Sequence, residues 1–184
     1  MAGINATEIR VAGTGRVLVA PKNADMAAPG TTLGAEWKDL GYTTNDGIKF
    51  TKKDKLDPVD SWQSMAAVRF VQSDRDLTVK FQLIQINVDT LPFVMGSGNT
   101  PLTPDVDGVV RYDISATPVP AEFALGLEFT DGASVTRFYV PRGVVTDMDE
   151  VQFAKNAPVK LGVTINAIAS DATPVKPLAS WMTK

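Results

Sequence analysis

The stretch Phe123-Ala124-Leu125-Gly126-Leu127-Glu128-Phe129-Thr130-Asp131-Gly132-Ala133-Ser134-Val135-Thr136-Arg137-Phe138-Tyr139-Val140 decides the fold. Two runs rich in apolar residues flank a turn signal, which is the pattern of an antiparallel β-hairpin. With Asp131-Gly132 as a two-residue type I′ turn, Leu127 pairs with Thr136, Leu125 with Phe138 and Phe123 with Val140. One face is then wholly apolar or hydroxylic, as a core face must be. The opposite face carries Ala124, Glu128, Val135, Arg137 and Tyr139 and is more apolar than contact with water requires. This register predicts Phe138 in the core and Tyr139 at or near a subunit contact.

Working outward, Trp37 to Thr51 reads as a second hairpin. Its Asn45-Asp46-Gly47 loop has three residues, so Tyr42 pairs with Phe50 and Thr44 with Ile48. Ala67 to Ile86 reads as a third, turning near Asp74-Arg75. There Leu77, Val79, Phe81 and Leu83 alternate with Thr78, Lys80 and Gln82, and Ile84 breaks the phase. Further strands are expected near Ile9 to Ala12, Gly15 to Ala20, Val109 to Ile114, Glu150 to Ala154 and Lys160 to Ala169. One short helix is expected, with Asp89 or Asn87 as N-cap, Pro92 in the first turn and Gly96 as the stop. Val, Ile and Thr number 21, 8 and 18, and Asp outnumbers Glu 16 to 5. Both biases favour strands and turns over helices.

The expected class is therefore mainly β, a single antiparallel sandwich or barrel-like domain over residues 1–184 with one flanking helix. Two connections, Pro21 to Gly34 and Thr51 to Ala66, are long enough to suggest a functional role. The second holds Lys52-Lys53-Asp54-Lys55, then Asp57, Pro58, Val59, Trp62 and Met65. Its charge run and proline argue against a strand in the free protein, while its apolar residues are too many to stay wet. It is expected to be mobile alone and ordered by contact with another chain.

Composition closes most catalytic routes. The 184 residues contain no His and no Cys, which excludes imidazole-based triads, thiol nucleophiles, disulfides and Cys- or His-ligated metals. At 44% hydrophobic and 21% charged residues the chain belongs with globular proteins. Its net charge of −3 offers no footprint for nucleic-acid backbones. No window approaches a membrane span, and Met1 to Thr7 lacks the charged and apolar regions of a signal peptide, so a cytosolic origin is expected. Gly13-Thr14-Gly15 lacks the third glycine of a dinucleotide fingerprint. Asp105-Val106-Asp107-Gly108 lacks the later acids of a calcium loop and reads as an Asx-capped turn. The Asp74/Asp76 and Asp147/Asp149 pairs are ordinary in a turn-rich protein. No catalytic residue, cofactor or metal is expected. Trp37, Trp62 and Trp181 leave open a carbohydrate-stacking module, with core packing or subunit contact as the default.

Several segments taken together are specific. Trp37-Lys38-Asp39-Leu40-Gly41-Tyr42 precedes Asn45-Asp46-Gly47-Ile48-Lys49-Phe50, Ser61-Trp62-Gln63-Ser64 and Val68-Arg69-Phe70. Leu77 to Ile86 then leads into the helix ending at Met95-Gly96, followed by Leu125-Gly126-Leu127-Glu128 and Phe138-Tyr139-Val140-Pro141-Arg142-Gly143. In this order the segments resemble the major tail proteins that form the tail tube of long-tailed phages, above all those infecting actinobacteria.

The resemblance implies a non-enzymatic virion protein, made in the host cytoplasm and built into six-membered rings. The rings stack around a tape-measure protein into a tube closed by terminator and baseplate proteins, whose bore passes DNA without specific binding. It also implies that Thr51 to Ala66 reaches a neighbouring ring. The candidate contact residues are Lys52, Lys53, Asp54, Lys55, Asp57, Val59 and Trp62, with Tyr139 added by the hairpin register. A tube protein of a contractile injection or secretion apparatus is the alternative within the same fold.

Overall fold

The computed structural model describes residues 3–5 and 8–184. Among them are eight strands: β1 (Thr14–Pro21), β2 (Lys38–Asp39), β3 (Lys49–Ser61), β4 (Ser64–Leu83), β5 (Glu122–Asp131), β6 (Ser134–Met148), β7 (Leu161–Ala167) and β8 (Ser180–Thr183). All pairings are antiparallel, in the order β2-β1-β5-β6-β7-β4-β3 with β8 also on β6. One face of the sheet covers the main core. Val17 and Val19 of β1, Leu125 of β5, Val140 of β6, Val163 and Ile165 of β7 and Val79 and Leu83 of β4 all pack together there.

The hairpin Phe123 to Val140 is β5–β6, with its turn one residue later than the sequence suggests. Asp131 pairs with Ser134, so Leu127 lies opposite Phe138 and Leu125 opposite Val140. Gly132 alone takes a positive φ, +58°, and Ala133 follows, which is the Gly-X pattern of a type II′ turn. From Asp131 back to Leu125 the pairing moves by two residues, so side chains keep their expected face and Phe138 is buried in the core; a bulge then sets Phe123 opposite Gly143.

The other two hairpins are different objects. The Asn45-Asp46 turn exists, with Gly47 N–H donating to Thr44 O at 3.0 Å, yet its arms do not pair with each other. Thr43 bridges Leu83, and β3 pairs along β4, so both arms lie on the same third strand. Asp74-Arg75 is not a turn but the middle of β4, a 20-residue strand. Residues 51–66, expected as a loop, are mostly strand. Pro58 is tolerated because β3 is an edge strand and needs no outward donor. The segments near Ile9 to Ala12, Val109 to Ile114 and Glu150 to Ala154 are not strands, whereas β1 and β7 fall where expected.

The helix runs Thr90–Pro92 and widens into a π-type turn, Phe93–Ser97. Asn87 Oδ1 accepts from the N–H groups of Asp89 and Thr90 at 2.9 and 2.8 Å, so Asn87 supplies the cap. Phe93 packs edge-on to Phe123 at 4.9 Å between ring centres, which pins the helix on the core.

The apolar outer face of β1, β5 and β6 is covered by the chain itself. Residues 22–37 cross it as a strap, and Leu18, Ala20, Trp37, Ala124 and Tyr139 form a second core beneath. Gly126 is required there, because a Cβ would come within 2.9 Å of the Trp37 ring and closer still to Met26. The chain's last strand, β8, borders β6 and sets Trp181 edge-on to Phe138 at 5.8 Å.

A charged cluster ties the strap's start to the segment after β7. Lys22 bridges Glu122 and Asp171, Arg142 holds Glu122 through Nη2 at 2.6 Å, and Asn23 donates to Asp171. Hydrogen bonds from Lys22 and then Asn23 hold the Asp171 carboxyl down at about 2, and Arg142 lowers Glu122. Both carboxyls are held below their unfolded values, so their stabilisation is present above about pH 4.5 and disappears as pH falls toward 2. Thermal unfolding in a pH series should show Tm dropping across that window, with a shallower drop in Asp171→Asn. Parallel profiles would mean that the cluster contributes nothing.

Candidate assembly interface

β7 pairs with β4 only from Thr78 to Leu83. From Lys52 and Leu77 outward, β3 and β4 therefore have only each other as β-sheet partners, and residues 52–76 form a two-stranded arm that leaves the body. At about 3.3 Å per residue the arm is roughly 30 Å long. Its turn is Trp62-Gln63, where Ser61 Oγ donates to Gln63 Oε1 at 2.6 Å.

Ladder partners share a face. Lys55 pairs with Asp74 and Leu56 with Gln72, leaving Ser73 as a bulged extra residue. The face that carries Val79 into the core and leaves Phe50 half-exposed against Phe138 continues outward through Lys52 and Leu77, then Asp54 and Arg75, then Leu56, Pro58 and Phe70. Beyond the charged band it is apolar again, with Leu56 and Phe70 more than half exposed. The reverse face carries Lys53 against Asp76 and Lys55 against Asp74, then Val59 opposite Arg69. Opposite charges facing each other across the ladder favour this register. At the tip Trp62 is 99% exposed and Met65 fully so.

Asp54 is the hub of the charged band. Lys52 Nζ lies 2.6 Å from its Oδ2, and Arg75 Nε donates to its Oδ1 at 2.7 Å. These two bonds, Lys52 first, hold its carboxyl below the usual aspartate range. Lys55 and Asp57 pair more loosely at 3.7 Å. Lys53 has no ion-pair partner among the described residues.

Seven of the eight sequence-predicted contact residues, Lys52 to Trp62, thus lie together on one arm. Tyr139 does not join them. It is 6% exposed in the second core, stacks edge-on to Trp37 at 6.1 Å and donates its hydroxyl to Ala24 O. Burial raises its pKa. The face assigned to a subunit contact is occupied by the strap, which the sequence signals only as an Ala/Pro/Gly-rich stretch. The three tryptophans form no shared platform, since Trp37 is buried at the strap's end in the second core, Trp62 is at the arm's tip and Trp181 lies on β8. Asp105 is the Asx cap expected, its Oδ1 accepting from Asp107 and Val109 N–H at 2.9 Å.

No curated protein sequence matches the chain. Among solved structures it is similar to a chain of the sheath–tube complex of an extracellular contractile injection system, PVC, in the extended state. That chain is 10% identical, with coverage of 97% of this chain and 93% of the other and a TM-score of 0.41. It is also similar to chains of the anti-feeding prophage baseplate and of its tube-terminating cap. The baseplate chain is 8% identical with 96% and 95% coverage and a TM-score of 0.45, and the cap chain is 13% identical with 100% of both covered and a TM-score of 0.41. At the level of sequence families, residues 2–184 match the family described as phage tail tube protein, and the chain belongs to that family.

Proposed function

We propose that this structural tube protein forms six-membered rings stacked into a hollow tube around a tape-measure protein, with the β3–β4 arm carrying the contact between rings. The supporting observation is the arm itself, whose apolar side chains lie on both faces with no cover from its own chain. A lone two-stranded ribbon is marginal in water, so coverage by a neighbour completes its order. An ordering cost of about 2–5 kcal/mol, met only on contact, keeps the free subunit soluble until growth is initiated. A net charge of −3 suits a bore through which DNA slides without being held. Assembly takes place in the host cytoplasm, and terminator and baseplate proteins close the tube.

The test is the double substitution Lys52→Glu/Lys53→Glu. Both side chains are on the arm, outside the core; each reversal sets like charges together, at Asp54 and at Asp76, so unfolding should change by about 1–2 kcal/mol at most. Sedimentation and negative-stain microscopy should show the loss of tubes that the unaltered chain forms. Normal tubes from the double variant would remove the arm from the interface.

A further inference from the structure

Strand register sets the arm and the segment 99–121 at opposite ends of the molecule. Thr51, Thr78, Asn166, Val144 and Glu122 lie side by side in one row across β3, β4, β7, β6 and β5. The arm leaves this row in one direction. β4 runs the other way to Leu83, and the helix and segment 99–121 follow before the chain re-enters the sheet at Glu122. β5 heads from Glu122 toward the arm's side, so residues 99–121 arrive from the far side.

This segment is the second large uncovered apolar surface of the chain. It forms no strand and is tethered by Leu102 N–H to Val88 O, by Ala121 N–H to Gly96 O and by the Tyr112 hydroxyl at Ser97. Val106, Ile114 and Val119 are each more than three-quarters exposed. Asp107 adds negative charge, Asp113 is paired with Arg111 at 2.8 Å, and the β6 end at Asp147, Asp149 and Glu150 lies on the same side. An apolar projection at one end and an uncovered apolar, acidic surface at the other are the two halves of a head-to-tail contact, which repeats without closing on itself.

We infer that the seat of the β3–β4 arm is segment 99–121 of a second copy of this chain, with the apolar tip against Val106 and Ile114. The inference rests on the arm being the inter-ring contact and adds the surface that receives it. It makes the contact heterologous: each copy gives an arm at one end and takes one at the other.

The chain has no cysteine, so introduced thiols report only themselves. Met65→Cys and Val106→Cys variants are mixed, allowed to polymerise, pelleted and treated with a mild thiol oxidant. The expected result is a disulfide-linked dimer of the two variants, several-fold more abundant than when Met65→Cys is mixed with Val175→Cys, a site exposed elsewhere. Cross-linking no greater than that control in pelleted tubes overturns the seat and leaves the arm's role standing. Failure of the unaltered chain to pellet as tubes at all counts against the tube assembly on which both readings depend.

Discussion

Phe138→Ala is expected to lower the free energy of unfolding by roughly 3–5 kcal/mol, the range for truncating a buried aromatic residue. The ring is 5% exposed and stands where three elements meet: its own β6, β3 through Phe50 at 4.8 Å, and β8 through Trp181. Truncation leaves a cavity that both neighbours line, and neither can fill it without leaving its own strand. Domains of this size are stable by only about 5–15 kcal/mol, so the loss is a large share of the total. Tyr139→Ala should follow closely, because its ring fills the second core and its hydroxyl ties down the strap. Urea denaturation measures both. A Phe138→Ala loss below about 1 kcal/mol would mean that the site collapses around the gap.

Arg137→Ala should cost a similar amount, also about 3–5 kcal/mol, by a different route. The guanidinium is 2% exposed and spends its donors on four acceptors: Glu128 Oε2 at 2.5 Å, Ala27 O and Ala28 O at 2.8 Å each, and Thr31 O at 2.7 Å. Without it, Ala27 O and Thr31 O lose this donor and Ala28 O keeps only Thr31, while Glu128 keeps only Arg16 at 2.8 Å. Leaving a buried polar group unpaired costs more than the net gain of the bond it made. Arg137→Lys should recover little, since one ammonium cannot span a carboxylate and three carbonyls. Denaturation gives the magnitude, and limited proteolysis within residues 22–36 reports whether the strap has come free. A strap that stays protected in Arg137→Ala would show that Trp37 and Met26 hold it by packing alone.

The β5–β6 hairpin was legible in the sequence because one face is buried and alternation survives there. The turn was misplaced by one residue because Asp-Gly and Gly-Ala are both good two-residue turns. The β3–β4 arm was not legible as strands, since an arm open to solvent on both faces has no reason to alternate. Its turn, Trp62-Gln63, lacks glycine and proline, while Asp74-Arg75 looked like a turn and is a strand interior. The candidate residues from Lys52 to Trp62 could still be grouped from the sequence, because apolar side chains near a lysine run stand out whatever the backbone does. The role of residues 22–37 could not be read, as a strap's fit depends on the surface beneath it. β8 has four residues, too few for a period to show.

β6 borders β5 along one edge and both β7 and β8 along the other. Withdrawing this one strand unpairs β5, β7 and β8 together, so a fault in β6 is felt on both of its edges at once and the quality of the body is decided largely by a single strand.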